Sequence, residues 1–370
     1  MKIEHVEAIP LTARLKKPQT TSQTSYTEIS ICLVRVRTDD GIEGVGECLS
    51  RFAPTAYADL INRTFAPGLI GRDPWSVGEL WDRMRKTLNG RPAGMLIEAI
   101  SGVDIALWDI LGKSTGLSVR RLLGGRNAPD VPVYASSVMV SDDMEQEAAK
   151  LLDQGFRIIK IKIGNGISTD IKRVARLREL VGPDIDIVTD VNFIYTEDEA
   201  ERLARHLADC DVVWLEEPVV PENREGYKRL SRKSPVALAG GESEFVASEF
   251  VDLISSGAVK FVQPDVTRAG GITESRKIAL LADAFRARYA PHVGFSGIVC
   301  VAASLHLAAA MPNTYAAECM INPNPFREEL GVNPFGLAHQ LVNGKAVVPE
   351  RPGLGIELDW KAVERLKTRI

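Results

Sequence analysis

From Val131 onward the chain alternates short β-branched runs with amphipathic helical stretches, and this alternation constrains its fold more than any other feature. Strands are predicted at 133–140, 157–163, 185–189, 212–215, 236–239, 260–262, 288–290 and 315–317, with helices between them such as 144–152 and 170–181. Thr196, with Glu199 three positions later, reads as a capping box opening another helix. Strand, helix, strand in repetition demands parallel strands joined by crossover helices, since parallel neighbours cannot be linked by a tight turn. Eight such units in about 200 residues suit a closed α/β barrel of the TIM type. An open doubly wound sheet would need a glycine-rich phosphate loop after its first strand, and none stands there.

The first third follows a different period. Residues 29–36 alternate apolar and polar, Asp39-Asp40-Gly41 marks a turn, and 42–48 alternate again, which predicts a β-hairpin extended by a strand over 1–11. The glycines within 41–46 fall inside that hairpin and are not a nucleotide motif. Between 56 and 112 the period becomes helical, with Ile97, Ile100, Val103, Ile105, Ala106 and Trp108 on one long segment. Gly124-Gly125-Arg126-Asn127-Ala128-Pro129 lacks periodicity and marks a boundary between this α+β unit and the barrel.

Composition narrows the partners. A net charge of −4, from 45 basic and 49 acidic residues with no basic block, gives no footprint for nucleic acid or an anionic membrane surface. The start of the chain has no apolar signal core, and the apolar stretch at 299–311 is broken by Ser304 and His306, so neither export nor membrane spanning is expected. Cys32, Cys48, Cys210, Cys300 and Cys319 are odd in number and scattered, which points to a reducing cytoplasm and no structural zinc.

One polar residue stands at or just past nearly every barrel strand: Lys162, Asp190, Glu216, Glu242, Asp265, His292 and Glu318, spaced 23 to 28 residues apart. A barrel builds its site where strands end and loops begin, so this spacing carries all seven to one mouth. Asp190, Glu216 and Glu242 come from consecutive strands. Three crowded carboxylates need a cation, and hard oxygen ligands without His or Cys favour Mg²⁺. Glu217 and Glu244 are close enough in sequence to compete as ligands. Lys160 and Lys162 share one pleat face of their strand, so Lys162 is a candidate base and Lys160 a candidate for screening a negative substrate group. Asp265 and His292 make a second candidate base, an imidazole oriented by a carboxylate. His5, His206, His306 and His339 lack that placement.

These residues resemble the enolase superfamily and, within it, the mandelate racemase subgroup, over nearly the whole length. The likeness rests on the Lys160/Lys162 pair, the Asp190, Glu216 and Glu242 series, the segment Gln263-Pro264-Asp265-Val266-Thr267-Arg268-Ala269-Gly270-Gly271-Ile272 with His292, and Glu318 after the last strand. It implies a modified (β/α)7β barrel over 126–340, an N-terminal α+β capping domain over 1–125, and a C-terminal segment, 341–370, returning to the cap. It further implies Mg²⁺ on the three carboxylates, catalytic roles for Lys160, Lys162, Asp265, His292 and a protonated Glu318, and an even-numbered homo-oligomer, often an octamer. Muconate-lactonizing and dipeptide-epimerase branches would place a lysine at Asp265, and several acid-sugar dehydratases a histidine at Asn192; this chain has neither. The segment Asn333-Pro334-Phe335 resembles galactarolactone cycloisomerase-like members.

The expected substrate is a small carboxylate that loses its α-proton to Lys162 or His292 and becomes an enediolate. Dehydration of an acid sugar comes first, ahead of lactone cycloisomerisation and of racemisation or epimerisation of a 2-hydroxy acid; a non-catalytic metal-binding barrel is the remote alternative. Asn192, Arg51 and Tyr26 are the candidate substrate contacts. Tyr26 ends the polar loop at 19–26, which resembles the capping-domain loop that closes over substrate in this family and whose hydroxyls suit a polyol.

Overall fold

The computed structural model describes residues 1–20, 23–87, 90, 92–125, 130–138, 143–332 and 341–369. Expectations resting on Thr21, Ser22, Arg126 to Pro129, Met139, Val140, His339 and Asn333-Pro334-Phe335 lie outside the described residues.

The N-terminal sheet is an antiparallel meander of β1 (Ile3–Thr20), β2 (Ser25–Thr38) and β3 (Glu43–Cys48). β1 runs nine residues past the expected end at Leu11. The alternation does fail at Lys16-Lys17-Pro18, where proline cannot donate to a ladder, but the strand absorbs this as a register shift between Arg14 and Gln19 and then pairs Gln19 with Tyr26. A helix over Met95–Thr115 lies directly on the sheet. Gly44 and Gly46 permit this contact, since a Cβ there would sit 2.1 Å from Ala106 O and 1.8 Å from Gly102 O. The helix stops at Gly116, whose φ of 70° only glycine adopts cheaply.

The second unit is a barrel of parallel strands: β4 (Asp130–Val138), β5 (Ile158–Lys162), β6 (Asp186–Asp190), β7 (Val212–Glu216), β8 (Ala237–Gly240), β9 (Phe261–Val262), β10 (Arg288–Tyr289) and β11 (Ala317–Met320). They pair in sequence order from β4 to β10, and β11 pairs back onto β4. A bridge between Tyr289 and Thr314, with Tyr315 N donating to Tyr289 O at 2.8 Å, closes the ring. Tyr134, Ile158, Val188, Trp214, Ala239, Phe261, Ala290 and Ala316 form a packed apolar cluster inside the barrel, so the interior is a core and not a pore. The capping box of Thr196 and Glu199 is present at the head of the Glu197–Asp209 helix.

The chain ends by touching both units. A hairpin of β12 (Leu341–Val342) and β13 (Lys345–Val347) pairs antiparallel with β4. Further on, Leu354 N donates to Asp109 on the long cap helix at 2.8 Å, and Thr368 N donates to Pro10 O in β1 at 2.9 Å. Among the described residues no helix is long and apolar enough to cross a membrane.

Candidate active site

In a strand, residues two apart share a face, and the barrel uses that rule three times. Lys160 and Lys162, Val188 and Asp190, and Trp214 and Glu216 each place a wall residue below and a polar residue at the rim, while Gln263 and Asp265 follow just past the end of β9. Strand register then aligns the rim: Lys162 lies opposite Asp190, and Asp190 opposite Glu216. Glu242 follows two residues after β8. One carboxylate oxygen from each of Asp190, Glu216 and Glu242 lies within 4.8 Å of the others, and all three residues are buried.

Lys160 is wholly buried beneath this triad. Its Nζ lies 2.6 Å from Glu216 Oε1, 2.9 Å from Glu318 Oε1 and 3.7 Å from Asp190 Oδ2. Lys162 stands at the open end of the same strand, in contact with Asp190 Oδ2 and 3.3 Å from Asn192 Oδ1. Across the mouth, His292 Nδ1 is 2.8 Å from Asp265 Oδ2, while its Nε2 is 3.3 Å from Glu242 Oε2 and 3.9 Å from Glu318 Oε2. Asp265 is fixed in turn by Thr267, whose N–H and hydroxyl donate to Oδ1 at 2.8 and 2.5 Å. The seven spaced positions and Lys160 therefore converge.

Glu217 and Glu244 are used elsewhere. Glu217 accepts Gly241 N at 2.8 Å, Glu242 N at 3.2 Å and the Tyr227 hydroxyl, which makes it a brace for the Glu242 backbone. Glu244 pairs with Arg224. Asn192 holds Asp190 by donating its backbone N–H to Oδ1 at 2.9 Å, and its own carbonyl accepts Gln23 Nε2 at 2.5 Å. That last bond brings the cap's polar segment to the barrel mouth. Tyr26 lies in an aromatic group, with ring centroids 4.9 Å from Phe295 and 6.1 Å from Phe52. Arg51 Nε is buried with no hydrogen-bond partner among the described residues, and no contact puts Arg51 at the triad.

Sequence reasoning missed Trp214 and Gln263, whose Nε1–H and Nε2–H donate to Glu216 Oε2 at 3.0 and 2.7 Å. Their signal was the two-residue spacing to Glu216 and Asp265. It also missed Ser136, on the neighbouring strand β4, which donates to Glu318 Oε1 at 2.6 Å across a separation of 182 residues.

Charge explains the titration of the site. Burial pushes Glu216 up to about 8; Lys160 opposes this, while Asp190 and Glu242 add to it. Burial would raise Asp190 as well, but Lys162 and Lys160 bring it below its ordinary value. Burial alone would lower His292, yet Glu242, Glu318 and Asp265 lift it to about 9. Glu318 corrects one expectation. Although burial favours its acid form, Lys160, His292, Gly294 N–H and the Ser136 hydroxyl hold it well below the usual carboxylate range, so it is ionised and not protonated here. Val293 and Gly294 N–H, at 2.7 and 3.0 Å, saturate its second oxygen.

The donor set fits a hard divalent cation. Three buried oxygen ligands converge, no thiol competes, and Glu242 Oε2 is buried without accepting a hydrogen bond among the described residues.

Comparison with known proteins agrees with this geometry. Residues 5–124 match the mandelate racemase / muconate lactonizing enzyme N-terminal domain, and residues 143–362 match the enolase C-terminal domain-like family. The chain belongs to the enolase superfamily, in its mandelate racemase subgroup. Among superfamily relatives it is 35% identical to a D-galactarolactone cycloisomerase of Agrobacterium fabrum, covering 99% of both chains. It is 34% identical to an arabinonate dehydratase of Saccharolobus solfataricus, covering 92% of this chain and 91% of that one. A racemase from Streptomyces coelicolor solved with bound magnesium superposes with a TM-score of 0.89 at 30% identity, covering 99% of this chain and all of the other. The modified (β/α)7β barrel and capping sheet are those of this superfamily.

Proposed function

We propose that the chain is a Mg²⁺-dependent enzyme that removes the proton α to the carboxylate of an acid sugar and eliminates water to give a 2-keto-3-deoxy acid. The observation that carries this reading is the placement of two bases on opposite sides of one acidic cluster, Lys162 against Asp190 and His292 against Glu242. A cation held by Asp190, Glu216 and Glu242 would supply the positive charge that makes the α-carbon acidic and stabilises the resulting enediolate.

The chain's own groups account for the rest. One base takes the α-proton, which leaves the electron pair in the enediolate. Lys160 is fixed under the cluster and keeps its ammonium against the carboxylates that surround the growing charge. Asp265 keeps the second imidazole nitrogen of His292 facing the cluster, so the imidazolium can give its proton to a departing β-hydroxyl. Carbon–oxygen cleavage releases water, the double bond moves to the former α,β position, and the enol tautomerises to the ketone. The 35% identity to a D-galactarolactone cycloisomerase supports a second reading, in which the departing group is a ring oxygen of a lactone.

The decisive experiment is a panel of acid sugars and their lactones, assayed with and without Mg²⁺ and followed by proton exchange in D₂O. Turnover or exchange that requires Mg²⁺ is expected; its absence across the panel overturns the reading.

A further inference from the structure

We propose that Glu47 and Asp104, two buried carboxylates of the N-terminal unit, are positioning residues that set the Asp265–His292 half of the site by capping the two barrel helices that follow those residues. The proposal rests on the proton-abstraction reading for its kinetic consequence, and on geometry for its structural one.

The two helices are placed alike. The Gly271–Ala284 helix begins six residues after Asp265, and the Ile298–Ala310 helix begins six residues after His292. Neither helix has a side-chain cap from its own N-cap residue, which is glycine in both cases. A helix start leaves N–H groups unpaired and carries partial positive charge, so a buried start needs an acceptor from elsewhere. The cap unit provides one to each. Glu47, on β3, accepts Gly297 N at 2.6 Å and Cys300 N at 3.2 Å. Asp104, on the long cap helix, accepts Thr273 N at 3.0 Å and the Thr273 hydroxyl at 2.5 Å. Both carboxylates are fully buried.

Neighbouring contacts carry the constraint to the dyad. Two residues beyond Glu47, Leu49 N donates to Thr267 O at 3.1 Å, and Thr267 is the residue that holds Asp265 Oδ1. Thr267 and Ser296 bring their hydroxyls within 3.4 Å, linking the loop after Asp265 to the loop after His292. Around Asp104, Ser101 accepts Gly270 N at 2.9 Å and Trp81 donates to Gly270 O at 2.9 Å. The lysine side is built differently. The Ile167–Val181 helix that follows Lys162 carries its own carboxylate, Asp170 in its first turn, which accepts Gly164 N at 2.8 Å and Asn165 N at 3.0 Å from the loop before it. Two carboxylates from the cap thus tie down one base and not the other.

Burial pushes both Glu47 and Asp104 up to about 7, against the pull of the N–H and hydroxyl groups they accept. Domain docking alone would be served as well by apolar contacts.

The test compares wild type with Glu47→Gln, Asp104→Ala and Asp104→Asn in the full chain. Glu47 faces two N–H donors, so a glutamine leaves one of them unmet. Asp104 accepts the Thr273 N–H and the Thr273 hydroxyl, whose oxygen takes Trp108 Nε1–H at 2.9 Å and keeps a second lone pair for an amide N–H, so asparagine should restore most of what alanine loses. With a pair of α-epimeric acid sugars in D₂O, exchange on the His292 face should fall roughly 10- to 100-fold in Glu47→Gln and Asp104→Ala, with the Lys162 face within about threefold and Asp104→Asn near wild type. Equal losses on both faces, or none, overturn the proposal. A second readout needs no substrate: the NMR signal of the His292 Nδ1 proton, assigned by its loss in His292→Asn, should shift or broaden in Glu47→Gln and Asp104→Ala and persist in Asp104→Asn. If wild type exchanges neither epimer, the reaction reading fails, and this signal still decides the positioning: no change in either variant overturns it. Should Glu47→Gln not fold, Glu47→Asp, which keeps the charge but shortens the reach, replaces it with the same expectation.

Discussion

His292 and Asp265 are joined by a 2.8 Å contact between Nδ1 and Oδ2, which leaves Nε2 facing the acidic cluster. A buried carboxylate at that nitrogen selects the tautomer with its proton on Nδ1 and stabilises the imidazolium once formed. Replacing Asp265 with Asn keeps the volume but removes the charge. Steady-state turnover of the acid-sugar substrate by Asp265→Asn should fall by about 10² or more, with KM changed far less than kcat. A variant with wild-type kcat would remove His292 from the proton path.

Glu242 adds a second effect on the same imidazole. After burial, which lowers the His292 value, Glu242 is the largest influence and raises it. A divalent cation on Glu242 would cancel that influence, so the metal-free titration near 9 should move to lower pH when Mg²⁺ is added, leaving the imidazole better suited to act as a base near neutrality. Without metal, the folded state binds this proton more tightly than the unfolded chain, with its value near 6.5. The stabilisation is complete below pH 6.5 and is lost as pH rises through 9, up to about 3 kcal/mol for a shift of this size. Denaturant titrations at pH 6 and pH 9.5, with and without Mg²⁺, measure it; equal pH dependence in both conditions contradicts the coupling.

How much of this was legible in the sequence depended on period and on direction. The barrel rim could be read because a two-residue period fixes which face Lys162, Asp190 and Glu216 share, and one polar residue per βα unit fixes the end. Glu217 could not be separated from Glu216 by spacing. Its backbone turns at a φ of 43°, which directs the side chain to the next loop instead of into the barrel. Glu47 and Asp104 were invisible for another reason: each sits in a local pattern of strand or helix, and its partner lies 250 or 169 residues away. Contacts that distant belong to tertiary packing, which local periodicity does not encode.

The choice between Glu242 and Glu244 as a ligand can be settled by binding. Glu242 presents to the cluster a buried oxygen that accepts no hydrogen bond among the described residues and lies 3.3 Å from His292 Nε2, whereas Glu244 is paired with Arg224. Glu242→Gln should weaken Mg²⁺ binding by at least about tenfold in isothermal titration calorimetry, and Glu244→Gln by less than about threefold. The reverse order would move the metal centre one strand position outward.

Lys160 is the group whose loss should be felt most without metal. It is fully buried, and its ammonium is shared by Glu216 and Glu318, both buried carboxylates. Methionine at this position keeps most of the volume and strands two acids, a change that costs about 3–5 kcal/mol when one partner of a buried pair is removed. Part of that cost is recoverable, because Glu216 is also one of the three residues whose oxygens converge within 4.8 Å. Lys160→Met should therefore melt well below wild type in chelator and gain more in melting temperature from saturating Mg²⁺ than wild type does, since the cation replaces the missing charge on Glu216 but not on Glu318. Thermal unfolding of both proteins with chelator and with Mg²⁺ checks this. An equal gain in the two would mean that Lys160 and the cation do not serve the same carboxylate.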